Sequence, residues 1–225
     1  MHTFTQRKIP YLLIFLVLLF SSCAKLILNQ TVSKYNKYNG LELPELMLED
    51  ISGNMVNTSS FKGKVVLLNT WGTWCSPCIN ELPGLNSINK KLSGNGTFFL
   101  VNVCAKSDKE QWKKIVADKK LTGINLFLPD SLFNRYNVFN IGNEGWPYNI
   151  ILGKDGKILG GGIEVDPDGE NLLAIYPLLK AEDNVDAKSS VKEMITLSKK
   201  IKKIDEPEMK DFKAFLEKYT FSSRH

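Results

Sequence analysis

The run Val65-Val66-Leu67-Leu68-Asn69-Thr70, followed at once by Trp71-Gly72-Thr73-Trp74-Cys75-Ser76-Pro77-Cys78, constrains the fold more than any other stretch of this 225-residue chain. An almost wholly apolar run suits a central strand buried on both faces, which requires a sheet covered by helices on either side. From Cys75 to Leu92 the apolar period changes, and Ile79, Leu82, Leu85, Ile88 and Leu92 fall on one helical face. Pro77 sits at an early helical position, where its missing N–H costs no hydrogen bond, whereas Pro83 is expected to kink the helix. Two cysteines three apart at a helix start can close a disulfide within one turn. Cys75 would lie near unpaired backbone N–H groups and the positive end of the helix dipole. Both stabilise a thiolate and lower its pKa below the free value of about 8.5. Cys78, one turn inside and shielded, is expected to stay protonated until it resolves a mixed disulfide.

Other chemistries are narrowed by counting. The only histidines, His2 and His225, stand at opposite ends of the chain. A Ser-His-Asp or Cys-His catalytic site, or a His-rich metal site, would need one inside the fold. Cys-x-x-Cys is also a metal-ligand spacing, but zinc would need two further ligands, and Cys104 is the only other cysteine of the mature domain. No metal is therefore expected. The net charge of +5 falls to +3 without Arg7 and Lys8, and no basic run is interleaved with aromatics, which argues against nucleic acid as a partner.

Periodicity organises the rest. Leu46–Asp50 and Met55–Asn57, joined by Ser52-Gly53-Asn54, read as a β-hairpin. Thr97–Val103 reads as a second buried strand ending at Cys104, a small residue expected to be buried and inert. An amphipathic helix over Lys109–Lys119 turns Trp112, Ile115 and Val116 inward. A short strand is expected at Leu126–Leu128 and a short helix at Ser131–Phe139. Ile150–Leu152 and Lys157–Leu159 flank the turn Gly153-Lys154-Asp155-Gly156 as a hairpin, and Asn171–Lys180 closes as a helix. Strands alternating with helices imply an α/β sheet covered on both faces. Residues 183–225 form a C-terminal helical extension. Its two apolar stripes include Val191, Met194, Ile195, Ile201 and Ile204, then Met209, Phe212, Phe215, Leu216 and Tyr219, with Asp205-Glu206-Pro207 as a helix start between them.

The N-terminus carries an export pattern. Arg7 and Lys8 precede an apolar run from Ile9 to Phe20, too short for a membrane span of about 20 residues. Leu19-Phe20-Ser21-Ser22-Cys23 resembles a bacterial lipobox, in which the cysteine is lipidated and becomes the first residue. An ordinary cleaved signal or an uncleaved anchor is the alternative. The expected organisation is a signal peptide over 1–22, a tether over 23–42 rich in Asn, Lys and Tyr, a catalytic domain over 43–182 and the extension over 183–225. Four cysteines are too few for a disulfide scaffold, so they are expected to do chemistry.

The segment from Leu67 to Cys78 resembles the active-site segment of the TlpA/ResA-like thioredoxin-fold proteins, bacterial extracytoplasmic thiol–disulfide oxidoreductases. The likeness extends over roughly 43–180. It includes Phe61-Lys62-Gly63-Lys64 ahead of the strand, Glu81-Leu82-Pro83 after the cysteines and the Lys154-Asp155-Gly156-Lys157 turn. The resemblance implies a thioredoxin-like fold with an added N-terminal β-hairpin and no organic cofactor. It implies that Pro147, in Gly145-Trp146-Pro147, is a cis proline facing the cysteines, and that Trp74, Trp146 and Pro147 contact substrate. Trp146 departs from the smaller residue usual there. Glu81 matches an acid placed beneath the cysteines, able to exchange the Cys78 proton. Asn69 occupies the position where cytoplasmic-type thioredoxins carry a buried aspartate, which leaves Glu81 as the nearest acid in sequence.

The implied activity is reduction of disulfides in exported client proteins, with Cys75 attacking and Cys78 resolving. A membrane thiol-transfer reductant would then restore the pair. A peroxiredoxin-type peroxidase would instead call for a lone peroxidatic cysteine with a nearby arginine. Only Arg135 lies between residues 24 and 223. A non-catalytic peptide-binding module is the other alternative. Metabolic labelling with a fatty acid is expected to mark the protein through Cys23, and Cys23→Ala is expected to abolish the label. Label retained by that variant would contradict the anchor.

Overall fold

The computed structural model describes residue 30 and residues 32–136, 144–200 and 207–220. The signal segment, Cys23, Ile201, Ile204 and residues 137–139 of the expected short helix lie outside the described residues. The buried run after Lys64 forms β3 (Val65–Trp71), every residue of which is buried. It pairs in parallel with β4 (Phe98–Ala105) and antiparallel with β6 (Tyr148–Leu152). The expected hairpins are β1 (Met47–Asp50) with β2 (Met55–Asn57), and β6 with β7 (Ile158–Gly161). Together with β5 (Ile124–Leu128), they complete a seven-stranded mixed sheet in the order β2-β1-β5-β4-β3-β6-β7. Parallel neighbours need crossover helices. Those are α1 (Ser76–Leu92), between β3 and β4, and α2 (Lys109–Asp118), between β4 and β5.

Both faces of the sheet are apolar, as the unbroken hydrophobic strands require. On one, Leu67, Trp71 and Leu100 meet Leu82, Leu85 and Ile88 of α1, Trp112 of α2 and Ile175 of α4 (Leu172–Lys180). On the other, Val66, Leu68, Val101, Val103 and Ile150 meet Leu48 and Phe133, the latter from α3 (Asp130–Tyr136). Each fully buried aliphatic side chain contributes roughly 1.5–3 kcal/mol. Polar caps set two of the helix starts. The Asp108 carboxylate accepts the Gln111 N–H at 2.9 Å, and the Asn171 side-chain oxygen accepts the Leu173 N–H at 2.9 Å. Pro83 lies within α1 without ending it.

The C-terminal stripes are the inner faces of α5 (Ala187–Lys200) and α6 (Pro207–Thr220). Helix α5 buries Ala187, Val191 and Leu197, and Lys180 of α4 pairs with Glu193 at 3.0 Å. Helix α6 seats Phe212 and Phe215 edge-on against Tyr176 of α4, with ring centroids 6.1 and 5.0 Å away.

One expectation is corrected. Residues 32–41, read as part of a tether because they are polar, pack onto the domain. Val32 and Tyr35 are buried in the same core as α1, and Tyr35 is fully enclosed. Backbone bonds from Gly40 N to Ile158 O and from Ile158 N to Leu41 O, both 2.8 Å, cover the open edge of β7. Gly160 permits this approach, because a Cβ there would stand 2.8 Å from the Tyr35 carbonyl oxygen and 2.5 Å from the Ala187 Cβ. Among the described residues, no helix is long and apolar enough to cross a membrane. Tyr35→Ala is expected to cost about 3 kcal/mol in urea unfolding, as truncation of a buried aromatic does. An unchanged midpoint would restore the tether reading.

Candidate active site

Strand β3 delivers the chain to a short loop, Gly72–Trp74, and Cys75 becomes the N-cap of α1. The loop is anchored to the turn after β4. The Thr73 N–H donates to Ser107 Oγ at 2.9 Å, and the Trp74 Nε1–H donates to the Lys106 carbonyl at 2.7 Å. Gly72 makes room for the Trp74 ring, since a Cβ at residue 72 would lie 2.9 Å from ring atoms. Pro77 falls in the first turn, where a free N–H is not needed.

Cys75 and Cys78 form a disulfide, with Cα atoms 5.2 Å apart. The Cys78 backbone N–H donates to Cys75 Sγ at 3.3 Å, so the sulfur accepts one of the orphan donors at the helix start. In the dithiol form the same donor and the helix dipole favour negative charge on Cys75. Both sulfur residues are nearly enclosed, Cys78 more so than Cys75.

The Trp146–Pro147 peptide bond is cis, as the family resemblance implies for Pro147. Trp146 lies between two other rings: Trp74 at 5.4 Å between centroids, and Phe133 at 6.1 Å in stacked orientation. Trp74 is 59% exposed and presents an apolar face to solvent beside the cysteine pair. A cavity of about 390 Å³ reaches the first turns of α1, lined by Pro77, Glu81, Pro147, Asn149, Lys37 and Val165. Glu81 and Pro147 thus share a cavity with Pro77 of the first turn of α1, and Trp74 lies in the loop that leads into that turn.

Glu81 is buried one turn past Cys78. Burial pushes its carboxyl up to about 7, partly offset by a hydrogen bond from Asn149 and one from the Val165 backbone. Asn149 Nδ2 donates to Glu81 Oε1 at 2.5 Å, while Oε2 is buried without a hydrogen bond. Asn69 Nδ2 donates to Asn149 Oδ1 at 2.8 Å, which places Asn69 within the same network. Sequence reasoning missed Asn149. The available signal was an asparagine inside an otherwise apolar strand, as at Asn69 and Asn102. Cys104 is fully buried, and burial pushes its thiol up to about 12, with Ser107 and the Thr73 backbone nearby only partly opposing the shift. It is held as a neutral thiol.

A two-cysteine helix N-terminus and a cis proline that lines one cavity with Pro77 of the first helical turn, on a sheet of this topology, define a thioredoxin-fold thiol–disulfide oxidoreductase. The redoxin family pattern spans residues 39–175. The chain is 30% identical over 155 residues to the thiol-disulfide oxidoreductase ResA of Geobacillus kaustophilus, covering 68% of this chain and 85% of that protein. It is 26% identical over 161 residues to the ResA protein of Bacillus cereus, covering 68% and 87%. The thioredoxin domain of a thiol-disulfide oxidoreductase from Bacteroides vulgatus superposes with a TM-score of 0.54 at 25% identity, covering 60% of this chain and 94% of that domain. The chain belongs to the redoxin family, in its TlpA/ResA-like thioredoxin-fold branch.

The raised Glu81 carboxyl has a consequence for stability. Between its unfolded value, near 4.5, and about 7, the folded oxidised protein holds a proton that the unfolded chain has released. Stability therefore falls as pH rises through that window, by roughly 3 kcal/mol from this group. Urea unfolding of the oxidised protein at pH 5 and pH 8 should show that fall, and Glu81→Gln should flatten it. An equal slope in the variant would show that Glu81 ionises normally.

Proposed function

We propose that this protein is held on the extracytoplasmic face of a membrane by a lipid on Cys23, and that it reduces disulfides in exported client proteins. The basic-apolar-small pattern of residues 1–23 supports export, and the ResA relatives support the chemistry. The catalytic unit runs from about residue 32 to residue 182, with 183–225 as a helical extension. The observation that carries the reading is the Cys75–Cys78 pair at the α1 N-terminus, with the Cys78 N–H directed at Cys75 Sγ.

The cycle begins from the dithiol. The Cys75 thiolate attacks one sulfur of the client disulfide, forming a Cys75–client bond and expelling the other client sulfur as a thiolate, which takes a proton from water. Trp74, Trp146 and Pro147 hold the client segment, Trp74 through its exposed ring face with Trp146 packed against that ring. The Glu81 carboxylate then takes the Cys78 proton. The Cys78 thiolate attacks Cys75 Sγ, closes the Cys75–Cys78 disulfide and expels the second client sulfur as a thiolate, which takes a proton from water. Two electrons have passed to the client. A membrane thiol-transfer protein donates two electrons to reopen the pair, and no organic cofactor or metal takes part.

Replacing the resolving cysteine should stall the cycle at the mixed disulfide. Cys78→Ala is expected to accumulate client adducts on Cys75 that thiol reductants release, whereas Cys75→Ala is expected to accumulate none. Adducts of equal yield in both variants would remove Cys75 as the attacking group.

A further inference from the structure

Four asparagines stand abreast across the centre of the sheet. Asn125 of β5 pairs in register with Asn102 of β4, Asn102 with Asn69 of β3, and Asn69 with Asn149 of β6. Asn69, Asn102 and Asn149 are almost fully enclosed and Asn125 is buried, on the sheet face that α1 covers. Buried amides in apolar strands add little stability unless they are fully bonded, and a row that still leaves Asn69 Oδ1 and Asn102 Oδ1 without partners is not explained by packing. At its β6 end the row reaches Glu81.

There the amide of Asn149 has one permissible orientation. An asparagine carries two N–H donors and one acceptor oxygen. One Nδ2 proton goes to Glu81 Oε1 at 2.5 Å, the other to the Ile163 carbonyl at 2.8 Å, and Oδ1 accepts from Asn69 Nδ2 at 2.8 Å. Rotating the amide by half a turn would set its oxygen against two acceptors and its nitrogen against a donor. All three bonds would be lost at once. Among the described residues, Asn149 is the one side chain that donates to the Glu81 carboxyl. The other titratable groups on the adjoining cavity are Lys34, Lys37, Glu144, Tyr148 and Glu164, and Lys37 is engaged by Glu144.

We infer that Asn149, steered by Asn69, is the positioning residue that orients the Glu81 carboxyl one helical turn past Cys78. The inference rests on the reading of Glu81 as acceptor of the Cys78 proton. A bond to one carboxyl oxygen leaves the other free to take and return a proton. It also favours the ionised form, against the burial that opposes it.

Carbon-13 NMR of the glutamate carboxyls in the full-length oxidised protein reads Glu81 directly. Its midpoint is expected near 7 in the unaltered protein and higher by about one pH unit in Asn149→Ala, a roughly tenfold change in the ionised-to-neutral ratio at a given pH. Asn69→Ala, which leaves the Asn149–Glu81 contact in place but frees its orientation, is expected to move the midpoint the same way by less. This keeps the inference testable if Asn149→Ala does not fold. In the dithiol form, Asn149→Ala should shift the pH profile of disulfide exchange when Glu81 is present and leave it unmoved in Glu81→Gln. Glu81 midpoints unchanged in both asparagine variants would overturn the positioning role. A Glu81→Gln exchange profile identical to that of the unaltered protein would instead overturn the proton-transfer reading, whatever the asparagines do.

Discussion

The chemistry of the site depends on one backbone hydrogen bond, from the Cys78 N–H to the sulfur of Cys75. A helix leaves its first N–H groups without intrahelical partners, and side-chain oxygens of Ser, Thr, Asp or Asn usually take them. Here a sulfur does so. Anything that fixes the first turn of α1 therefore also fixes the chemistry of Cys75. Strand β3 is buried along its whole length, and a one-residue shift of register would turn Asn69 onto the opposite apolar face, away from Asn149. The loop beyond it is tied to Lys106 and Ser107, and Pro77 presets the first turn. The fold brings the sulfur to the helix start, and the helix start gives it its charge preference.

Two ionisable groups on α1 are thereby driven in opposite directions. Cys75, at the positive end of the dipole, is drawn toward its charged form. Glu81, enclosed by β6 and the loop after β7, is drawn toward its neutral form and titrates near 7. In the proposed cycle the thiol that deprotonates easily would serve attack, and the carboxyl that accepts a proton near neutrality would serve resolution. Cys104 shows the contrast. It lies in β4 opposite Trp71, caps no helix, and burial pushes its thiol far above neutrality.

Much of this was legible in the residues. Val65–Thr70 reads as a buried central strand because no polar alternation interrupts it, and Cys75–Leu92 reads as a helix from its apolar period. The cis bond at Pro147 was expected from resemblance alone, since nothing in Gly145-Trp146-Pro147 by itself distinguishes cis from trans. Two features were not legible. Residues 32–41 are rich in Asn, Lys and Tyr and look solvated, and the surface that buries Tyr35 is the edge of β7, which exists only once the distant hairpin has folded. Asn149 has no periodic signature. Its meaning lies in the register that sets it against Asn69, 80 residues earlier.

The most direct test is alkylation of the reduced protein across a range of pH, with each cysteine followed separately by mass spectrometry. Cys75 should react first, along a curve whose midpoint lies below the free-thiol value of about 8.5, while Cys78 lags and Cys104 stays unmodified. Cys75 and Cys78 reacting together with a midpoint at or above that value would contradict the claim that the helix start sets the charge on Cys75.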